Sequence, residues 1–217
     1  MDVLYVDPFL LVVNKPSGLA TIPGGWEKEA RSLVELLEPE YGRIWVVHRL
    51  DKVTSGLVVF ARSAEAHRSL NMQFEHHQVQ KLYHAIAVGL PAWDEHTARH
   101  PLLINVGHTH RTIVDNAKGK PSETLFRLLE RFNGYALLAA IPATGRTHQV
   151  RVHAFALGFP LLADTLYSAP PTDLIRRPAL HARDLAFTHP NTNERMVFTA
   201  PYPEDFKKAL ELLKSGS

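Results

Sequence analysis

The chain has no cysteine, which excludes disulfides, thiolate nucleophiles and cysteine-bearing zinc sites. It has no apolar run near the roughly 18 to 20 residues needed to cross a bilayer as a helix. The opening MDVLYVDPFLLVV lacks a basic leader ahead of its apolar stretch, so it does not read as a secretory signal. A cytoplasmic protein with no membrane attachment is the expectation. A Gly-rich phosphate loop is also missing, so nothing points to a bound phosphate donor. Nor is there strong charge of one sign. Lys and Arg number 24 against 22 Asp and Glu, a net +2 that permits a nucleic-acid partner without demanding one.

What is present fits a folded protein. Apolar residues make up 45% and charged residues 21% of 217, enough for one substantial core or two lobes of one. Thirteen histidines add latent positive charge below about pH 6.5. Residues 99–120 hold Arg99, Arg111, Lys118 and Lys120 against the single acid Asp115, with His100, His108 and His110 between them. Such a stretch is either a solvated basic loop or a phosphate-facing surface.

Periodicity gives the outline. Val3–Val6, Leu10–Asn14, Ile44–Val47, Leu57–Phe60 and Leu82–Val88 read as strands. Leu33, Leu36 and Leu37 predict a short helix between Ser32 and Pro39. Ser63 caps a second helix to about His77, with Ala66, Leu70 and Phe74 on one face. Residues 93–121 have weak periodicity and read as an inserted hairpin or loop. Leu125–Leu129 and Tyr135–Ile141 form an antiparallel pair around Asn133-Gly134. A helix starts near Thr147, with Val150, Ala154 and Leu157 on its apolar face and Gly158 as its stop. Leu180–Thr188 and Met196–Ala200 make a hairpin. A last helix carries Phe206, Leu210 and Leu213, and residues 214–217 are expected to fray. The fold class is α+β, a single domain over 1–217 with a mainly antiparallel sheet flanked by helices and loops.

Three strings could carry chemistry. HRLDKVTSGL sets Asp51 among His48, Arg49, Lys52, Thr54 and Ser55, in a loop between buried strands, with Gly56 allowing a tight exit. A lone Asp in a turn also serves simply as a turn former. TGRTHQVRVH packs Arg146, His148, Arg151 and His153 at a helix start. It reads either as a solvated basic face or as a guanidinium, Arg151, offset from the apolar face and partly sheltered. An arginine facing a carboxylate makes a charge-assisted pair. KLYHAIAVG offers Tyr83 on an alternating strand, as a core tyrosine or as a platform for a nucleobase.

Together with VVNKPSGL, GKPSETLFRLLER, PATGRTHQVRVHAFALGFPLLAD and LHARDLAFTHP, these strings resemble the RluA family of RNA pseudouridine synthases, in the family's order from about Val3 to Phe206. The resemblance implies the pseudouridine synthase fold, with a catalytic cleft, and isomerisation of uridine in ribosomal or transfer RNA. It implies that Asp51 is the catalytic aspartate, that Tyr83 stacks on the target base, and that Arg151 pairs with the aspartate. It implies Arg49 entering the RNA stack where the base had been. Lys81, Arg146 and His148 are expected to contact RNA. No metal or other cofactor is implied, and the expected partner is a structured RNA stem-loop, bound by a monomer. VVNKPSGL begins almost at residue 12, so RNA selection is expected to rest on the catalytic domain, without an added N-terminal RNA-binding domain. Two departures stand out: Ala163 where the family usually has Gly before the Asp, and Ile22-Pro23-Gly24 where many relatives have His-Pro-Gly.

The chemistry is coherent with that set. The bond from the sugar to nitrogen 1 must break, the uracil turn, and a bond to carbon 5 form. The base must first leave the stack, and water must be kept away from it. Three rival readings exist. A zinc hydrolase would use the histidines, but HExxH is missing. A non-catalytic RNA-binding module would not need Asp51, Tyr83 and Arg151 together. A nucleoside glycosidase would need a second acid beside Asp51.

Overall fold

The computed structural model describes residues 1–24 and 31–216. In chain order the elements are β1 (Asp2–Val6), β2 (Leu10–Lys15), α1 (Leu33–Tyr41), β3 (Trp45–Val46), β4 (Ser55–Ala61), α2 (Ala64–Glu75), β5 (Gln80–Val88), β6 (Glu95–Arg99), β7 (Leu102–Val106) and β8 (Arg111–Val114). They continue with β9 (Glu123–Phe132), β10 (Tyr135–Pro142), α3 (Gln149–Ala156), a 3-10 turn at Thr165–Tyr167, β11 (Leu180–Thr188), β12 (Arg195–Thr199) and α4 (Glu204–Ser215). The class is α+β. Contacts divide the chain into two compact units, Met1–Lys81 with Ala182–Pro201, and Leu82–His181 with Tyr202–Ser217.

In the first unit β2 and β4 are apolar almost throughout, and all but one of their residues are buried. Strands buried on both faces belong in a sheet interior, and β1, which alternates with exposure, forms the rim. The order β1-β2-β4-β11 follows, and the β1–β2, β2–β4 and β11–β12 pairings are antiparallel. Leu10, Val12, Leu57, Val59, Leu185 and Phe187 pack with Ala66 and Leu70 of α2. Ser63 caps α2 as expected. Ser32 caps α1 in a full capping box with Glu35, and that helix continues past Pro39 to Tyr41. Proline supplies a helical φ and loses only one hydrogen bond there. The expected strand at Ile44–Val47 shrinks to the two residues that pair with Ala61 and Phe60. Gly56 is obligatory: its φ is +115°, and an added Cβ would sit 2.2 Å from the Ala182 carbonyl oxygen.

In the second unit the order is β5-β10-β9-β6, with β10 antiparallel to both β5 and β9 and β6 antiparallel to β9. The 93–121 stretch is therefore only partly an excursion. β6 joins the sheet, while β7 and β8 form a separate hairpin. The polar EHTAR hides a strand because its cross-strand partners are charged: Glu95 faces Arg127 at 2.6 Å and Arg99 faces Glu123 at 2.8 Å. α3 departs from an amphipathic helix, since Gln149, Val150, Arg151, Val152, His153 and Ala154 are all buried. α4 buries Phe206, Leu210 and Leu213 and runs to Ser215, with Lys214 paired to Glu130 at 3.1 Å, so the helix extends into the stretch expected to fray. Ser217 lies outside the described residues.

Candidate active site

Asp51 is half-buried in the connection between β3 and β4. Its carbonyl accepts from Thr54 N at 3.0 Å, closing a turn. The segment after β2 braces that turn from several sides. Gly18 N donates to Lys52 O at 2.8 Å. The Lys15 ammonium donates to the same carbonyl at 3.3 Å and to Pro16 O and Leu19 O at 3.0 and 2.8 Å. Ser17 Oγ donates to Val53 O at 2.7 Å. Lys15 is wholly buried, a position that only such carbonyl ligation makes tolerable for an ammonium. No periodicity singles it out, because it closes a strand that is apolar from Leu10 to Val13.

Other residues of HRLDKVTSGL divide by environment. His48 Nε2 accepts from Val59 N at 3.0 Å, and its ring stacks on Phe74 at 4.7 Å. Burial, and then the charge of Lys81, push its pKa down to about 3. His48 is thus a neutral strut carrying its proton on Nδ1. Lys81 is itself brought down to about 8 by burial. Arg49 is exposed. This unit accordingly holds Arg49, Asp51 and Lys81 of the expected site residues.

The second unit holds Tyr83, Arg146, His148 and Arg151. Tyr83 is half-buried on β5 opposite Ala140 of β10. Arg151 is buried rather than partly sheltered, at 4% exposure. Its Nε and Nη2 donate to Oδ2 and Oδ1 of Asp164, both at 2.7 Å, a two-pronged pair. Its guanidinium also lies 5.2 Å from the Tyr167 ring centre. The Tyr167 hydroxyl accepts from Thr112 N and donates to Thr112 O, both at 3.0 Å. With that proton committed, His148 Nδ1 at 3.0 Å is a donor to the same oxygen. Burial raises the Tyr167 pKa first of all, so the phenol stays neutral.

Gln149 and His153 of TGRTHQVRVH are scaffold. Gln149 Oε1 accepts from Arg146 N at 3.0 Å and Thr144 Oγ1 at 2.7 Å, while its Nε2 donates to Glu123 O and Thr124 Oγ1 at 2.8 and 3.0 Å. His153 meets Thr124 Oγ1 at 2.9 Å and His100 O at 3.1 Å, and burial lowers its pKa. Arg146 is exposed. Asp164, Tyr167 and Lys15 were not singled out from the sequence. Asp164 alone had a signal, the αL-prone position before it: Ala163 does sit at φ +62°.

In the basic stretch 99–120, Arg99 is committed to Glu123, whereas Arg111, Lys118 and Lys120 are exposed. Asp115 accepts from Ala117 N and Lys118 N, both at 2.9 Å, and shapes the turn. Among the described residues no group of three or more His, Asp or Glu has metal-holding geometry. No described helix is long and apolar enough to cross a membrane.

Residues 9–156 match the family described as RNA pseudouridylate synthase. The chain is 37% identical over 203 residues to the dual-specificity RNA pseudouridine synthase RluA of Pasteurella multocida, covering 93% of each. It is 38% identical over 225 residues to ribosomal large subunit pseudouridine synthase C of Yersinia pestis, covering 99% of this chain and 70% of that one. The solved structure of human RNA pseudouridylate synthase domain containing 4 superposes with a TM-score of 0.80 at 25% identity, over 98% of this chain and 92% of that one. The chain belongs to the RNA pseudouridylate synthase family, within its RluA group. It is an isomerase that converts uridine to pseudouridine in RNA, and the hydrolase, glycosidase and binding-module readings are set aside.

Proposed function

We propose that the protein modifies ribosomal or transfer RNA, with Asp51 as its catalytic carboxylate, acting as a cytoplasmic monomer without a cofactor. The observation that carries this is the braced turn at Leu50–Val53, which fixes one half-buried carboxylate inside the family-matched segment. The relatives' names support an RNA substrate: RluA is called a dual-specificity RNA pseudouridine synthase, and synthase C is assigned to the large ribosomal subunit.

In this reading the uridine is flipped out at a cost of a few kcal/mol. Arg49 fills the gap it leaves, and Lys81, Arg146 and His148 hold phosphates. Tyr83 stacks on the extruded uracil. Asp51 either attacks the sugar or base, or stabilises positive charge on the sugar while the uracil turns. Arg151, whose charge is held in place by Asp164, completes the catalytic set in this reading. Cleaving the bond at nitrogen 1 and forming one at carbon 5 releases the carbon 5 proton while nitrogen 1 takes one up, so the composition is unchanged and no external reactant is consumed.

Two measurements test it. Pseudouridine maps of total RNA from cells with and without the gene should differ at discrete uridines of ribosomal or transfer RNA; identical maps would reject the substrate class. Asp51→Asn should abolish turnover on those transcripts while RNA binding survives, and retained turnover would reject the catalytic assignment.

A further inference from the structure

One buried hydroxyl lies beside Asp51 and has no part in the chemistry just described. Thr21 is 2% exposed. Its Oγ1 donates to Leu50 O at 3.0 Å and accepts from Leu50 N at 3.2 Å. One side chain thereby satisfies both backbone groups of the residue immediately before Asp51. The Leu50 carbonyl belongs to the peptide plane that also carries the Asp51 N–H, so fixing it fixes the plane from which Asp51 departs. Thr21 is itself held at the start of α1, where Val34 N donates to Thr21 O at 3.3 Å and Leu33 N to Ala20 O at 2.8 Å.

On the far side of Asp51 the clamp continues. Lys52 O takes Gly18 N, and Val53 O takes Ser17 Oγ. The carboxylate-bearing residue is pinned on both flanks by side chains and backbone of residues 15–21. A strand pairing would have held this loop too, but it would have removed Asp51 from the turn. Hydroxyl groups hold the backbone without extending the sheet.

We infer that Thr21 is a positioning residue for Asp51, acting through Leu50, with Ser17 as a weaker counterpart through Val53. The inference rests on Asp51 being the catalytic carboxylate. A carboxylate must be held within about 0.5 Å of its productive place, and misplacement by about 1 Å can cost about a hundredfold in rate. Thr21→Val keeps the shape and removes the hydroxyl, leaving Leu50 N and O unpaired by it. Thr21→Ser keeps the hydroxyl and removes the methyl group.

The test is single-turnover and steady-state kinetics on the RNA identified by mapping, run well below each variant's melting temperature. Thr21→Val should lose about tenfold or more in kcat, with KM for RNA within about twofold of the parent. Thr21→Ser should recover most of that loss, and Ser17→Ala, at a half-buried position, should lose about threefold in kcat. A Thr21→Val enzyme that melts earlier but keeps its kcat would overturn the inference, as would a Thr21→Ser enzyme as slow as the valine variant. If the valine variant does not fold, Thr21→Ser and Ser17→Ala decide, and an unchanged kcat in Ser17→Ala with a slow Thr21→Ser sinks the idea. The Asp51→Asn control separates the two levels, because turnover by that variant removes the catalytic reading and not merely its support.

Discussion

Arg151 and Asp164 meet through two parallel hydrogen bonds of 2.7 Å, with both side chains almost wholly buried. A guanidinium in such a place needs a matched acceptor, and a fork is the one geometry that serves both oxygens. Removing the acid alone leaves a buried charge with less to satisfy it. Asp164→Ala is therefore expected to destabilise the protein by about 3–5 kcal/mol. Urea unfolding of the variant checks this, and a loss below about 1 kcal/mol would mean the pair contributes little.

Ala163 precedes that aspartate in the left-handed region, at φ +62°. A side chain there costs about 1–2 kcal/mol relative to a residue free of a Cβ. Ala163→Gly should therefore raise stability, by about 1 kcal/mol once the greater freedom of glycine in the unfolded chain is set against the relief. A melting temperature that falls instead would show that the alanine methyl packs usefully.

His48 predicts a pH dependence of stability. Its ordinary value is 6.5 and its folded value about 3. Between these the unfolded chain binds a proton that the folded chain refuses. Stability contributed by this site is thus present above about pH 6.5 and is lost progressively as pH falls toward 3. Urea midpoints measured from pH 7 to 4 should fall more steeply in the parent than in His48→Asn. Equal slopes would assign the acid sensitivity elsewhere.

How far the sequence reveals all this depends on range. Ser63, Asn133-Gly134 and the Phe206, Leu210, Leu213 stripe act on residues a few positions away, so their patterns are readable directly. Glu95–Arg99 is not, because its strand is supported by charges on β9 that only the register brings opposite. Asp51, Tyr83 and Arg151 stand out by family motif, yet the partner that holds Arg151 lies 13 residues on in an otherwise apolar run. Lys15 and Thr21 are hidden for a different reason. Their task is to ligate backbone carbonyls and amides, in their own segment and in the Leu50–Val53 turn, and backbone groups leave no mark in side-chain composition. Gly56 is the exception among backbone-driven positions, since a glycine at a loop exit signals a close approach.

The interleaving of the two units bears on how the chain is made. β4 belongs to the first unit, and its neighbour β11 is supplied by residues synthesised more than a hundred positions later. On the ribosome the N-terminal unit therefore waits, with the open edge of β4 and the apolar faces around it available for wrong pairing. The stretch Leu82–His181 can gather its own strands during that interval. Emergence of the β11–β12 hairpin is thus the event that commits the first unit, and synthesis stopped before Ala182 leaves that unit without its last strands.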